Sequence, residues 1–194
     1  MSGGAQARIM PHGYREAIRR HLWPREGARD VWAILDGARH NRINSYLIDS
    51  YLDSTCLYSG QLPPELEVAA PYLVNLEQDD ALTGRLIDDG WGESWGVFLK
   101  TSTSMPRLRR HLREFLVVRD PGGRRLVFRY YDPRVLRVYL PTCTTEELRT
   151  VFGPIEAFWM EGPEPSVLLE FLFDGRKLTQ NSIALAPAEE ARPA

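Results

Sequence analysis

Cysteine and lysine are the scarce residues of this chain, with Cys56, Cys143, Lys100 and Lys177 the only examples among 194 residues. Two cysteines without CxxC spacing exclude a disulfide scaffold, and both read as buried thiols. The near absence of lysine gives the cationic work to arginine. That bias fits recognition by planar guanidinium forks, or simply genome base composition. Long apolar runs are missing too: the densest stretch, 167–173, is interrupted by Glu170 and falls far short of the roughly 18 residues that span a bilayer. An integral membrane protein is therefore not expected. The N-terminal segment has no apolar core of about 7 to 15 residues before a small-residue cleavage site, so a cytoplasmic location is expected.

Catalytic and cofactor motifs are also lacking. His12, His21, His40 and His111 fall on different predicted elements and form neither HxxxH nor HExxH, so no metal site is expected. GxSxG and GxxxxGK[ST] do not occur, and no cofactor is expected. The glycine-rich segment 90–96 lacks the GxGxxG spacing that places amides on a pyrophosphate. Its glycines are read instead as relief from crowding where Trp91 and Trp95 pack against backbone.

What remains is ordinary globular material, 43% hydrophobic and 26% charged, with a formal net charge of −2. A chain this long buries roughly 70% of its unfolded surface in one domain. Periodicity predicts an amphipathic helix over 13–23, within an N-terminal unit 1–25, then a linker over 24–30. A buried strand follows over 31–35, a helix over 41–53, and strands over 55–58 and 72–76. Asp79 and Gly90 bracket a short helix, 94–100 is a strand, and Ser104 with Pro106 opens a helix with Leu108, Leu112, Phe115 and Leu116 on one face and arginines on the other.

The Asp-Pro-Gly-Gly run at 120–123 marks a hairpin between 115–119 and 124–131. Asp132-Pro133 caps a helix through Leu140, and Thr144 with Glu147 forms a capping box on a helix that stops at Gly153. Strands are expected over 155–160, 167–173 and 178–184, the last two joined at Asp174-Gly175, followed by a tail over 185–194 without apolar periodicity. The predicted class is α/β: a mixed sheet with flanking helices, followed by antiparallel hairpins and short helices, over 26–184 and divisible into two lobes near 102–106.

Charge lies in blocks. Ten arginines against three carboxylates over 107–137 give a local balance of +7, while 43–90 carries −8 and 146–174 carries −6. Such fields either neutralise each other inside the fold or face a partner. Arginines interleaved with Phe128, Tyr130 and Tyr131 fit a nucleic-acid interface, although the chain as a whole is slightly acidic. Asp36, at a strand end, and Asp132 are the best isolated carboxylates for acid/base work. Neither has an evident second partner; loop capping with Arg39 accounts for Asp36, and helix capping for Asp132. The balance favours a protein whose work is binding, not catalysis.

Five blocks carry a family resemblance: LDGAR at 35–39, APYLVNL at 70–76, GWGESWGVFL at 90–99, the long run at 108–148 that contains FRYYDPRVL, and FGPIEAFWMEG at 152–162. Together, over about 31–175, they resemble the adaptor chaperones of bacterial type VI secretion effectors. The resemblance implies a cytoplasmic, non-enzymatic protein that binds a toxic effector, often encoded beside it, and helps mount it on the VgrG spike. It does not identify contact residues. Residue type points to Arg129, Tyr131, Arg134 and Arg137, since arginine and tyrosine are enriched at interface hot spots. Trp91 and Trp95 are alternatives.

Overall fold

The strand β1 (Val31–Asp36) is buried from end to end. It lies inside a seven-stranded sheet, paired on one side with β3 (Pro71–Asn75) and on the other with β4 (Gly96–Lys100). With β2 (Ser54–Cys56), β7 (Ala157–Glu161), β8 (Val167–Phe173) and β9 (Leu178–Ala184), the order is β2-β3-β1-β4-β7-β8-β9. Successive side chains of β1 alternate between two cores. Val31, Ala33 and Leu35 join one cluster, and Trp32 and Ile34 join the other. The computed structural model describes residues 12–24, 30–119 and 122–185. Most of the predicted 24–30 linker, Asp120 of the predicted hairpin turn and nearly all of the 185–194 tail lie outside those residues.

Helices cover both faces. On one side α1 (His12–Leu22), α2 (Asn41–Ile48) and α4 (Ala81–Gly90) bury Ile18, Ile43 and Leu86. On the other, α5 (Met105–Glu114), α6 (Pro133–Tyr139) and α7 (Thr145–Phe152) bury Leu108, Leu136 and Phe152. The α/β class with flanking helices stands. A short exposed helix, α3 (Pro64–Val68), carries no apolar face and was not legible from periodicity.

Strand direction is the correction. A mixed sheet was expected, yet every ladder is antiparallel. The units β1-α2-β2 and β3-α4-β4 do join strands of the same direction, but each crossover skips a place. Strand β3 fills the gap between β1 and β2, and β1 fills the gap between β3 and β4. Alternation of strand and helix fixes neither direction nor neighbours, since β2-α3-β3 joins adjacent antiparallel strands.

Local chemistry sets most boundaries. Asp80, not Asp79, caps α4, its carboxylate accepting the Leu82 N–H at 2.7 Å. Gly90 closes that helix from inside, not as a residue beyond its end, and a Cβ there would sit 2.9 Å from the Trp95 ring. The reading of this glycine as relief from crowding is correct. The Thr144–Glu147 capping box forms in both directions. Outside the main sheet, β5 (Val117–Arg119) and β6 (Arg125–Val127) pair only with each other, as a two-stranded ribbon.

Candidate functional site

Of the residues expected to contact a partner, Tyr131, Trp91 and Trp95 are buried, whereas Arg129 and Arg134 are 44% and 48% exposed, each holding a buried carboxylate. Arg129 follows the ribbon and donates to the carboxylate of Asp36, which is 1% exposed at the end of β1. Asp36 also accepts the Ala38 N–H at 3.2 Å. Arg39 is not its side-chain partner, since that guanidinium donates to the Glu93 carbonyl at 2.8 Å. Arg134 grips Asp132 with two bonds, Nε to Oδ1 at 2.9 Å and Nη2 to Oδ2 at 2.6 Å. Asp132 caps α6 at the same time by accepting the Arg134 backbone N–H at 2.9 Å. Burial pushes the Asp132 carboxyl up, but these bonds and the nearby Arg129 outweigh it and hold the group below its ordinary range. Arg137 reaches back to the carbonyls of Gly162, at 2.9 Å, and Glu161, at 3.4 Å.

Tyr131, Trp91 and Trp95 are corrections of a stronger kind. Tyr131 is 2% exposed and packs in the core, where burial and a hydrogen bond with Tyr58 raise its hydroxyl well above the ordinary range. Trp91 donates Nε1–H to the Pro165 carbonyl at 2.7 Å. Trp95 packs on Gly90 and stacks on His40 with ring centroids 5.2 Å apart. None of the three offers a side chain to a partner. The aromatics proposed to stack on bases are unavailable as well. Tyr130 is fully buried and donates its hydroxyl to the Leu112 carbonyl at 2.8 Å, while Phe128 packs edge-on against Tyr139. Asp36 and Asp132, the candidate acid/base groups, each hold a structural guanidinium.

A wider surface open to solvent lies N-terminal to those braces in the chain. An open groove of about 810 Å³ runs between α5, the β5-β6 ribbon and the loop at 57–62. Its floor is Leu57 and Leu116, both buried; Tyr58, Leu62, Val117 and Val127 form its walls. Arg109, Arg110, Arg113 and Arg125 stand around it, with Glu114 the one carboxylate among the lining residues. Arg109 is anchored, its Nε donating to the Cys56 carbonyl at 2.9 Å. Among the described residues no carboxylate forms an ion pair with Arg110, Arg113 or Arg125.

The reason α5 presents this face is its pattern. Leu108 and Leu112 turn into the core, and His111 sits against Gly153 with Nε2 at 3.0 Å from the Val151 carbonyl, so the arginines between them point away. The ribbon register pairs Val117 with Val127, Val118 with Leu126 and Arg119 with Arg125. Opposed residues share a face, so both faces are apolar and like charges meet at the tip. Val117, Val118, Leu126 and Val127 are 38% to 49% exposed. The sequence did mark the arginine face of α5 and the hairpin; it carried no signal that the 57–62 loop would meet them. Among the described residues no group of three His, Cys, Asp or Glu side chains is placed to hold a metal ion, and no helix is long and apolar enough to cross a membrane.

A family described as a domain of unknown function (DUF4123) matches residues 31–150, more than half of the chain. No curated protein and no solved structure matches it.

Proposed function

Since the chain belongs to the DUF4123 family, we propose that it is an adaptor chaperone, one that binds a type VI secretion effector in the cytoplasm and promotes its loading onto the VgrG spike. It works by holding a partner and transforms no substrate, needing neither cofactor nor metal. The effector is the primary partner, and the spike protein is contacted during loading. The sequence blocks at 35–39, 70–76, 90–99, 108–148 and 152–162 support the adaptor reading. The observation that carries it is the pairing of a rigid, doubly covered sheet with an exposed apolar ribbon and an arginine-lined groove. Contiguous apolar surface of that kind marks a site of association.

A rigid scaffold suits the task. A chaperone that must capture and then release its client gains by keeping its own fold intact, because ordering costs on its side are then avoided. The complex is expected to bury roughly 1,200 to 2,000 Å², a standard-size interface. Co-expression with the adjacent open reading frames, followed by affinity purification at gentle salt, tests it. A stoichiometric complex with a toxin-bearing polypeptide is the expected result; recovery of this chain alone overturns the reading.

A further inference from the structure

We propose that the groove between α5 and the β5-β6 ribbon is the docking site for an acidic, aliphatic-bearing segment of the partner polypeptide. The inference rests on the adaptor reading for the partner's identity and goes beyond it in naming the surface and the chemistry that fits.

Charge is the first argument. Arg110, Arg113 and Arg125 stand around the groove without an ion-pair partner among the described residues, and Glu114 is too little to neutralise them. Across the ribbon, Arg125 lies directly opposite Arg119, a like-charge pair that destabilises a free hairpin. A carboxylate laid between α5 and the ribbon relieves that repulsion and gains charge-assisted hydrogen bonds from forked donors. The second argument is apolar. Leu116 and Leu57 floor the groove, and Val117 and Val127 remain exposed on the ribbon face that lines it. Covering aliphatic surface is favourable at roughly 25 cal/mol per Å².

The same surface fits other ligands poorly. Single-stranded nucleic acid needs exposed aromatic platforms as well as a basic track, and Tyr58 is the groove's one aromatic. Small-molecule sites enclose most of their ligand, whereas this groove lies open to solvent. An extended or helical peptide stretch carrying both carboxylates and aliphatic side chains satisfies floor and rim together.

The test is a double charge reversal, Arg110→Glu with Arg125→Glu. Neither side chain braces the fold, and the second change places a carboxylate opposite Arg119, so the melting temperature should hold. Arg20→Glu with Arg176→Glu, on other parts of the surface, makes the same change in net charge. In co-purification with the effector, the groove variant should lose at least about tenfold in captured partner while the control behaves as wild type. If wild type captures the effector and the groove variant captures it equally, the groove proposal falls and the adaptor reading stands.

If wild type captures nothing, the adaptor reading falls, and peptide binding then decides the groove by itself. Fluorescence anisotropy with a labelled peptide alternating glutamate and leucine should show binding to wild type and control, weakened at least about tenfold by the groove variant. Poly-glutamate and single-stranded oligothymidylate should bind more weakly than that peptide. Tighter binding of oligothymidylate, or equal peptide binding by the groove variant, overturns the proposal.

Discussion

The basic segment contains two arginine-bearing regions that do opposite work. In the later region, the Arg129, Arg134 and Arg137 guanidiniums reach inward to Asp36, Asp132 and the 161–162 carbonyls, although the Arg129 and Arg134 side chains stay nearly half exposed. In the earlier one, Arg110, Arg113 and Arg125 face an open groove and meet no carboxylate in an ion pair among the described residues. Residue type does not distinguish them. What does is whether the fold brings a buried acceptor within reach, and for Arg129 that acceptor lies 93 residues away in the chain.

Breaking the inward region should therefore break stability, and the most severe case is Arg129→Glu. It leaves the buried Asp36 carboxylate without its half-exposed partner, with an expected cost of about 2 to 3 kcal/mol after solvent screening. A fall in melting temperature on the order of 10 °C would register it. An unchanged melt would mean that Asp36 draws its stabilisation from the loop alone.

Gly153→Ala sharpens the contrast on α5 itself, whose inner side is fixed where its outer side is free. Gly153 adopts φ +47°, and a Cβ there would come 2.3 Å from the His111 ring. A loss of about 1 to 3 kcal/mol in denaturant unfolding is expected. Arg113→Ala, on the opposite side of the same helix, should cost less than half of that.

Asp132→Asn probes the inward region by pH. The wild-type carboxyl is held below its ordinary range, so its stabilisation is present above the unfolded-state value near 3.8 and disappears as pH falls through the lower folded-state value. Asparagine keeps the cap and loses the ion pair. The variant should be less stable by about 1 kcal/mol at neutral pH, and the gap should close as acid protonates the wild-type carboxyl. A constant gap would assign the loss to packing.

The smallest stability effect belongs to the outward region. Arg110→Glu with Arg125→Glu should shift stability by no more than about 0.5 kcal/mol in thermal melts. A large loss would show that those arginines are braces as well, and the contrast between the two regions would collapse.

Several elements were legible because their signals are local. Strands β8 and β9 coincide with the expected 167–173 and 178–184 joined at Asp174-Gly175, and α6 and α7 follow from Asp132-Pro133 and the Thr144–Glu147 box. The helix over 41–53 was overextended, since α2 stops at Ile48 and Tyr51 is fully exposed. Strand neighbours were not legible, because skipped crossovers leave the same one-dimensional pattern as adjacent ones. The site was half legible. Arginines around FRYYDPRVL stand out by residue type, yet their acceptors are set by tertiary contacts, and nothing marks Tyr131 as buried, because an aromatic in a charged run carries no such sign. The groove required a long-range meeting of the 57–62 loop with α5 that no spacing announces.

All five indoles, Trp23, Trp32, Trp91, Trp95 and Trp159, are sealed in the interior, and none of them lines the groove. Intrinsic emission thus gauges the integrity of the scaffold and stays blind to events at the arginine rim. A titration watched at once through that emission and through a dye on the incoming segment separates a damaged holder from an empty one.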